Sequence, residues 1–328
     1  MNRDALRQRI FSVTPDVFEA LAVEVCHYQY ENNPVYFEFI RLLNINIEEL
    51  TKIYEIPFLP IEFFKSHLVI TGTKEAHKIF ESSGTTGIVT SQHYVTDITL
   101  YEESLLRGFK LFFGDPKQYC IIGLLPSYLE RENSSLVYMT EYLIKASGHE
   151  LSGFYLNDYK KLNNTIGILE SKGQKTILLG VTFALLDFAE QFSQPLYSTI
   201  IMETGGMKGR RTEISRDELH TILSKAFGVS RIFSEYGMTE LLSQAYSNGD
   251  GFFKSPPWMK IYTRDVNDPL RLMETGQSGA INIIDLANID SCAFISTSDL
   301  GKCLPDGFFE VLGRLDYSDV RGCNLLVE

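Results

Sequence analysis

Hydroxyls and glycines crowd into Glu81-Ser82-Ser83-Gly84-Thr85-Thr86-Gly87, directly after the short apolar run Lys78-Ile79-Phe80. Gly84 and Gly87 let the backbone turn so that successive N–H groups point at one spot. The hydroxyls of Ser82, Ser83, Thr85 and Thr86 add donors suited to phosphate oxygens. No Gly-Lys-Ser/Thr follows, so this is not a Walker-type loop, and alone the stretch also suits a surface turn. A second cluster, Glu235-Tyr236-Gly237-Met238-Thr239-Glu240, follows an expected strand at Arg231-Ile232-Phe233. The pattern predicts a strand–turn–helix junction, where open α/β sheets place ligand-binding groups. Thr239 offers a hydroxyl to a phosphate oxygen, and Glu240 a carboxylate to Mg²⁺, which favours carboxylate together with phosphate oxygens. The plainer alternative is a helix start capped by Thr239. In Thr297-Ser298-Asp299-Leu300-Gly301 and Gly313-Arg314-Leu315-Asp316, an Asp at a strand end can accept both hydroxyls of a ribose, and an Arg can complete the clamp.

Nucleophiles and metal ligands are sparser. The five cysteines, Cys26, Cys120, Cys292, Cys303 and Cys323, are far apart and form no C-x-x-C, which reads as reduced intracellular thiols rather than a disulfide frame. Cys323 stands out, because Arg321 can lower its pKa and Gly322 lets the backbone approach a ligand. The alternative is that it packs as a small apolar residue beside Leu325, Leu326 and Val327. The other four sit in apolar or strand-like contexts and read as structural. Lys208, Arg210 and Arg211 form a basic cluster open to either phosphate contact or a solvated turn. His93 and His67 read as surface or partly buried polar residues with no fixed partner. The six histidines form no metal-binding spacing, and no G-x-S-x-G elbow supports a serine hydrolase.

These residues need a scaffold. The 328 residues hold 30 Lys and Arg against 42 Asp and Glu, a net charge of −12, with 44% hydrophobic residues. That is ample for a deep core and too acidic for wrapping nucleic acid. No apolar run approaches the roughly 18 residues of a membrane span, and Met1-Asn2-Arg3-Asp4 lacks a signal peptide's apolar stretch, so a cytoplasmic location is expected. Residues 1–75 read as a helical, aromatic-rich segment. Thr14-Pro15-Asp16 predicts one helix start and Asn33-Pro34 another, while two prolines keep 56–61 out of helix. Between about 77 and 235, short β-branched runs at 121–125, 176–179 and 199–202 alternate with amphipathic stretches such as 183–192. That is the βαβ pattern of a mostly parallel sheet covered on both faces. After about 250 the texture turns hairpin-like, with Arg271-Leu272-Met273 and Ala280 to Ile284 flanking a turn. The expected organisation is the segment 1–75 packed on a single core of residues 76–328.

Ser82 to Gly87, Glu203-Thr204-Gly205-Gly206, Tyr236 to Glu240, Thr297 to Gly301 and Gly313 to Asp316, in that order, resemble the core motifs of the adenylate-forming (AMP-forming) acyl ligase superfamily. The resemblance implies an α/β fold: the large domain of those ligases, with mostly parallel sheets flanked by helices, an antiparallel C-terminal β portion and here a helical N-terminal segment. It also implies that Ser82, Ser83, Gly84, Thr85, Thr86 and Gly87 hold ATP phosphates and that Gly205 and Gly206 line the adenine. Tyr236 and Gly237 belong to the nucleotide site, Thr239 and Glu240 meet the α-phosphate and Mg²⁺, and Asp299 and Arg314 hold the ribose. The family's phosphate loop usually continues into a Lys, where this sequence has Ile88-Val89-Thr90. Its members also continue beyond Gly-Arg-x-Asp into a lid bearing a lysine, whereas this sequence ends at Glu328.

The stretch from Ile56 through Lys65, the Gly205 to Arg210 stretch and the tail Arg321 to Leu326 resemble acyl-protein synthetases of the long-chain fatty acid–luciferin component ligase type. In those proteins a fatty acid is activated as acyl-AMP and passed to a Cys near the C-terminus, from which a partner reductase draws it. Cys323 matches that Cys. The resemblance thus implies an ATP- and Mg²⁺-dependent ligase with a carboxylic acid substrate, Cys323, Thr239 and Glu240 as catalytic residues, and an acyl-accepting reductase or carrier protein as partner. The oligomeric state is left open. Two alternatives are a CoA ligase of the phenylacetate type with a lid supplied in trans, and a non-catalytic nucleotide-binding subunit.

Overall fold

In the computed structural model of the chain, residues 2–82, 89–125, 133–205 and 214–315 are described. Helix α1 (Arg3–Ile10) is capped by the Asn2 side chain, which accepts from the Asp4 N–H, and carries Asp4 in its first turn and Arg7 and Arg9 in its last. The next helix does not open at Thr14-Pro15-Asp16. The Thr14 hydroxyl donates instead to the Asp16 carboxylate at 2.6 Å, and α2 (Phe18–Asn32) begins after Val17 with no side-chain cap. Asn33-Pro34 does open α3 (Pro34–Leu42): Asn33 accepts from the Val35 and Tyr36 N–H groups, with Pro34 in the first turn. The proline-bracketed segment holds the two-residue strand β1 (Leu59–Pro60) and leads into the short helix α4 (Phe63–Ser66).

A separate hairpin, β2 (Lys78–Glu81) with β3 (Gln92–Val95), precedes the large sheet. Helix α5 (Ile98–Phe113) is followed by β4 (Cys120–Leu124), α6 (Ser135–Ser147), β5 (Gly153–Phe154), α7 (Tyr159–Ser171), β6 (Thr176–Val181), α8 (Thr182–Gln191), β7 (Thr199–Thr204), α9 (Arg216–Phe227) and β8 (Phe233–Tyr236). All pairings among β4 to β8 are parallel. Successive residues feed opposite cores: Ile121, Ile177, Leu179 and Met202 pack with the N-terminal helices and α5. Ile122, Leu178 and Ile201 pack against residues of α7, α8 and α9. Burial on both faces is why these strands read as unbroken apolar runs rather than alternating ones.

Beyond β8 the chain does not enter a helix. It turns at 239–240 and returns antiparallel to β8 as β9 (Ala245–Ser247). Strands β10 (Phe252–Lys254), β11 (Met259–Arg264), β12 (Ser278–Asp285), β13 (Phe294–Cys303) and β14 (Phe308–Arg314) complete one mixed sheet in the order β11-β12-β13-β14-β10-β9-β8-β7-β6-β4-β5, with β1 on β13. The partner of β12 is β11, not Arg271 to Met273, which contributes a single bridge, Arg264 to Leu272. Met259 to Arg264 pairs residue for residue along β12, with Met259, Thr263 and Arg264 buried, whereas 271–273 is exposed or only partly buried. The N-terminal helices are tied to the segment before β13. The Gln29 amide donates to the carbonyls of Asn288, Ile289 and Ser291, and Arg3 bonds both oxygens of Asp290. Among the described residues no helix is long and apolar enough to cross a membrane.

Candidate active site

The candidate residues gather where β7 and β8 end and the antiparallel strands fold back beside them. Thr204 and Glu235 are register partners at those ends, and the Thr204 hydroxyl donates to the Glu235 carboxylate. Gly205 leaves β7 with φ +69°, in the left-handed region glycine favours, and its carbonyl accepts from the Thr182 hydroxyl at 2.9 Å. Burial pushes the Glu235 carboxyl up to about 7; the Thr204 bond opposes this and nearby Glu203 reinforces it. At Gly237 a Cβ would lie 2.6 Å from Glu235 Oε1, so a larger residue there would have to displace that buried carboxylate.

Tyr236, next on β8, donates its hydroxyl to Asp299 Oδ2 at 2.8 Å. Arg314 Nε reaches Asp299 Oδ1 at 3.3 Å, and the two residues face each other across β13 and β14. The Asp299 side chain is 13% exposed and that of Arg314 82%. A mostly buried carboxylate thus presents its remaining lone pairs at a surface flanked by an open guanidinium. Ion pairing that leaves lone pairs free is what recognition of paired hydroxyls needs. Arg216 strengthens this corner, with Nε 3.4 Å from Glu203 and Nη1 donating to the Val311 carbonyl of β14.

The turn after β8 carries Thr239 and Glu240. Asp285 pins its far side, accepting from the N–H groups of Leu242 and Ser243 at 2.9 and 3.0 Å and from the Ser243 hydroxyl at 2.6 Å. The Asn288 amide donates to the Glu240 carbonyl at 2.8 Å. Burial raises the Glu240 carboxyl; a hydrogen bond with Ser91 and the charges of Arg314 and Lys65 draw it back. The Ser91 N–H in turn donates to the Ser82 hydroxyl at 2.9 Å. His93, expected at the surface or partly buried, is fully buried, with Nδ1 2.8 Å from the Thr239 carbonyl. Strand alternation places it inward with Val95, and no local signal reveals a partner 146 residues away. His67 is exposed and stacks on Phe63.

Hydrogen bonds and chain neighbours therefore join Gly205, Tyr236, Gly237, Asp299 and Arg314 on one side, and Ser82, Thr239 and Glu240 on the other. The field of Arg314 at Glu240 bridges the two. Ser83, Gly84, Thr85, Thr86, Gly87, Gly206 and Cys323 lie outside the described residues, as do Lys208, Arg210, Arg211 and Asp316. Glu235, Ser91 and Lys65 had no assigned role in the sequence, and each faces this site. Among the described residues no three metal-ligating side chains cluster. Glu240 fits a cation that draws its other ligands from a bound phosphate, as Mg²⁺ does.

The architecture is that of the adenylate-forming ligases. ATP-bound MatB from Rhodopseudomonas palustris superposes with a TM-score of 0.54 at 17% identity, over 72% of this chain and 47% of that one. A 2-hydroxyisobutyryl-CoA ligase with 2-HIB-AMP and CoA gives 0.66 at 12% identity, over 91% and 70%. O-succinylbenzoate coenzyme A synthetase from Bacillus subtilis, with ATP and magnesium ion, gives 0.51 at 18% identity, over 76% and 50%. The chain thus spans about half the length of MatB. No curated protein matches it in sequence. The acyl-protein synthetase (LuxE) family model matches residues 14–328, and the chain belongs to that family.

Proposed function

We propose that the chain activates a fatty acid with Mg·ATP and passes the acyl group to its own Cys323, from which a reductase or carrier protein takes it. A carboxylate oxygen attacks the α-phosphorus, forming acyl-AMP and releasing pyrophosphate. The Cys323 thiolate then attacks the acyl carbonyl, forming a thioester and releasing AMP. In this reading the loop from Ser82 through Ser83, Gly84, Thr85 and Thr86 to Gly87 holds phosphates, and Gly205 and Gly206 flank the adenine. Asp299 and Arg314, steadied by Tyr236, take the ribose. The Thr239 hydroxyl meets the α-phosphate, and Glu240 would hold Mg²⁺, which offsets the negative charge of the phosphate chain.

The observation that carries this reading is the linkage of Tyr236, Asp299 and Arg314 beside the Ser82–Ser91–Glu240 chain. It is supported by the family match and by fold relatives that bind ATP, magnesium ion or an acyl-AMP. The described cysteines favour Cys323 as acceptor. Burial pushes the thiols of Cys26 and Cys292 up to about 12 and those of Cys120 and Cys303 up to about 11, which leaves them poor nucleophiles.

The test is carboxylate-dependent ATP–pyrophosphate exchange over acids of graded chain length, followed by labelling with radioactive acid. Exchange with a hydroxylamine-labile label lost in Cys323→Ser is expected. ATP binding without exchange for any acid would overturn the reading. Exchange with CoA-dependent release and no labelled protein would replace Cys323 by CoA as acceptor.

A further inference from the structure

The hairpin β2–β3 stands apart from the large sheet, so no ladder hydrogen bond to that sheet fixes it against the turn after β8. A pair of side chains on one short stretch joins the two. The Ser91 side chain lies close enough to the Glu240 carboxylate to draw its pKa down, and His93 bonds the Thr239 carbonyl. Ser91 also exchanges backbone and side-chain bonds with Ser82, where the 82–87 loop leaves β2.

His93 has an arrangement that packing alone does not explain. Because a carbonyl only accepts, Nδ1 must carry the proton, and burial keeps the ring neutral, its pKa pushed down to about 4. Nε2 is buried with no hydrogen-bond partner among the described residues. The edge of Phe64 packs against the ring at 5.7 Å. Leaving a ring nitrogen buried and unpaired is costly, and an apolar side chain would fill this space without that cost. The Nδ1–H bond to Thr239 is the compensating gain.

We propose that His93 is a positioning residue: with Ser91 it latches the β2–β3 hairpin onto the Thr239–Glu240 turn, holding Ser82 and Ser91 in register with Glu240. The effect on turnover rests on the adenylating activity proposed above; the latch itself does not. His93→Leu removes the donor at similar volume, and His93→Asn offers an amide N–H near the place of Nδ1. Hydrogen–deuterium exchange over 89–95 and 236–242 reads the latch directly, while ATP–pyrophosphate exchange reads its consequence. His93→Leu is expected to raise deuterium uptake in both segments and lower the exchange kcat about tenfold. KM for the acid should stay unchanged and the melting temperature should not fall. His93→Asn should restore protection and most of the rate. Unchanged uptake in His93→Leu, or equal loss in both variants at equal stability, would overturn the latch. Changed uptake in a chain whose wild type shows no pyrophosphate exchange would sink the proposed function and leave the latch standing.

Discussion

Replacing Glu235 by Gln should flatten the pH dependence of stability. The carboxyl is buried at the end of β8, takes the Thr204 hydroxyl bond, and titrates at about 7 rather than the ordinary 4.5. Between those values the unfolded chain releases this proton while the folded chain keeps it. The contribution is therefore fully present below pH 4.5 and lost as pH rises through about 7. At ~1.4 kcal/mol per pH unit the window amounts to about 3 kcal/mol, an upper bound for a buried group. Gln keeps the acceptor for Thr204 and cannot ionise, so Glu235→Gln should match the wild type near pH 4.5 and exceed it by up to about 3 kcal/mol at pH 8. Asp285, pushed up to about 6 by burial, runs in the same direction and leaves the variant with a residual slope. Urea unfolding at pH 5, 6, 7 and 8 measures both. Parallel stability curves for the two proteins would refute the burial argument.

Asp285→Asn removes one of two oxygens that together accept four protein bonds. It should cost about 2–4 kcal/mol in urea unfolding; a neutral result would mean the turn is held otherwise. Gly237→Ala places a methyl 2.6 Å from Glu235 Oε1 and should cost about 1–3 kcal/mol by the same assay. Asp299→Ala should weaken AMP binding about tenfold or more by calorimetry, with Tyr236→Phe a milder version, because only the former removes the acceptor. Lys65→Met should raise KM for ATP several-fold in pyrophosphate exchange, since its charge reaches Glu240; an unchanged KM would place Lys65 away from the phosphates.

The parallel strands were legible because burial on both faces writes itself as runs such as Ile121 to Leu125 and Thr199 to Met202. Asn33-Pro34 was legible because capping is local chemistry. Thr14 misled for a related reason: its hydroxyl had a competing local partner in Asp16, which the residue types alone do not rank. The absence of a helix after Tyr236 follows from Leu241 and Leu242 both being buried and the next amides being held by Asp285, far along the chain. The same distance hid the partner of β12, the burial of His93 and the elevated Glu235 carboxyl. Residue types marked Tyr236, Asp299 and Arg314 as site candidates, but only the fold, which brings β13 and β14 against the Tyr236 side chain from beyond β9 and β10, joins the three in one hydrogen-bonded chain.

We propose that these residues frame one cleft for an adenine mononucleotide. A crystal structure of the chain with a non-hydrolysable acyl-adenylate sulfamate tests it most directly. The expected complex has ribose hydroxyls on Asp299, the sulfamate beside Thr239 and adenine near Gly205. The analogue bound elsewhere, with Asp299 still engaged only by Tyr236 and Arg314, would contradict it.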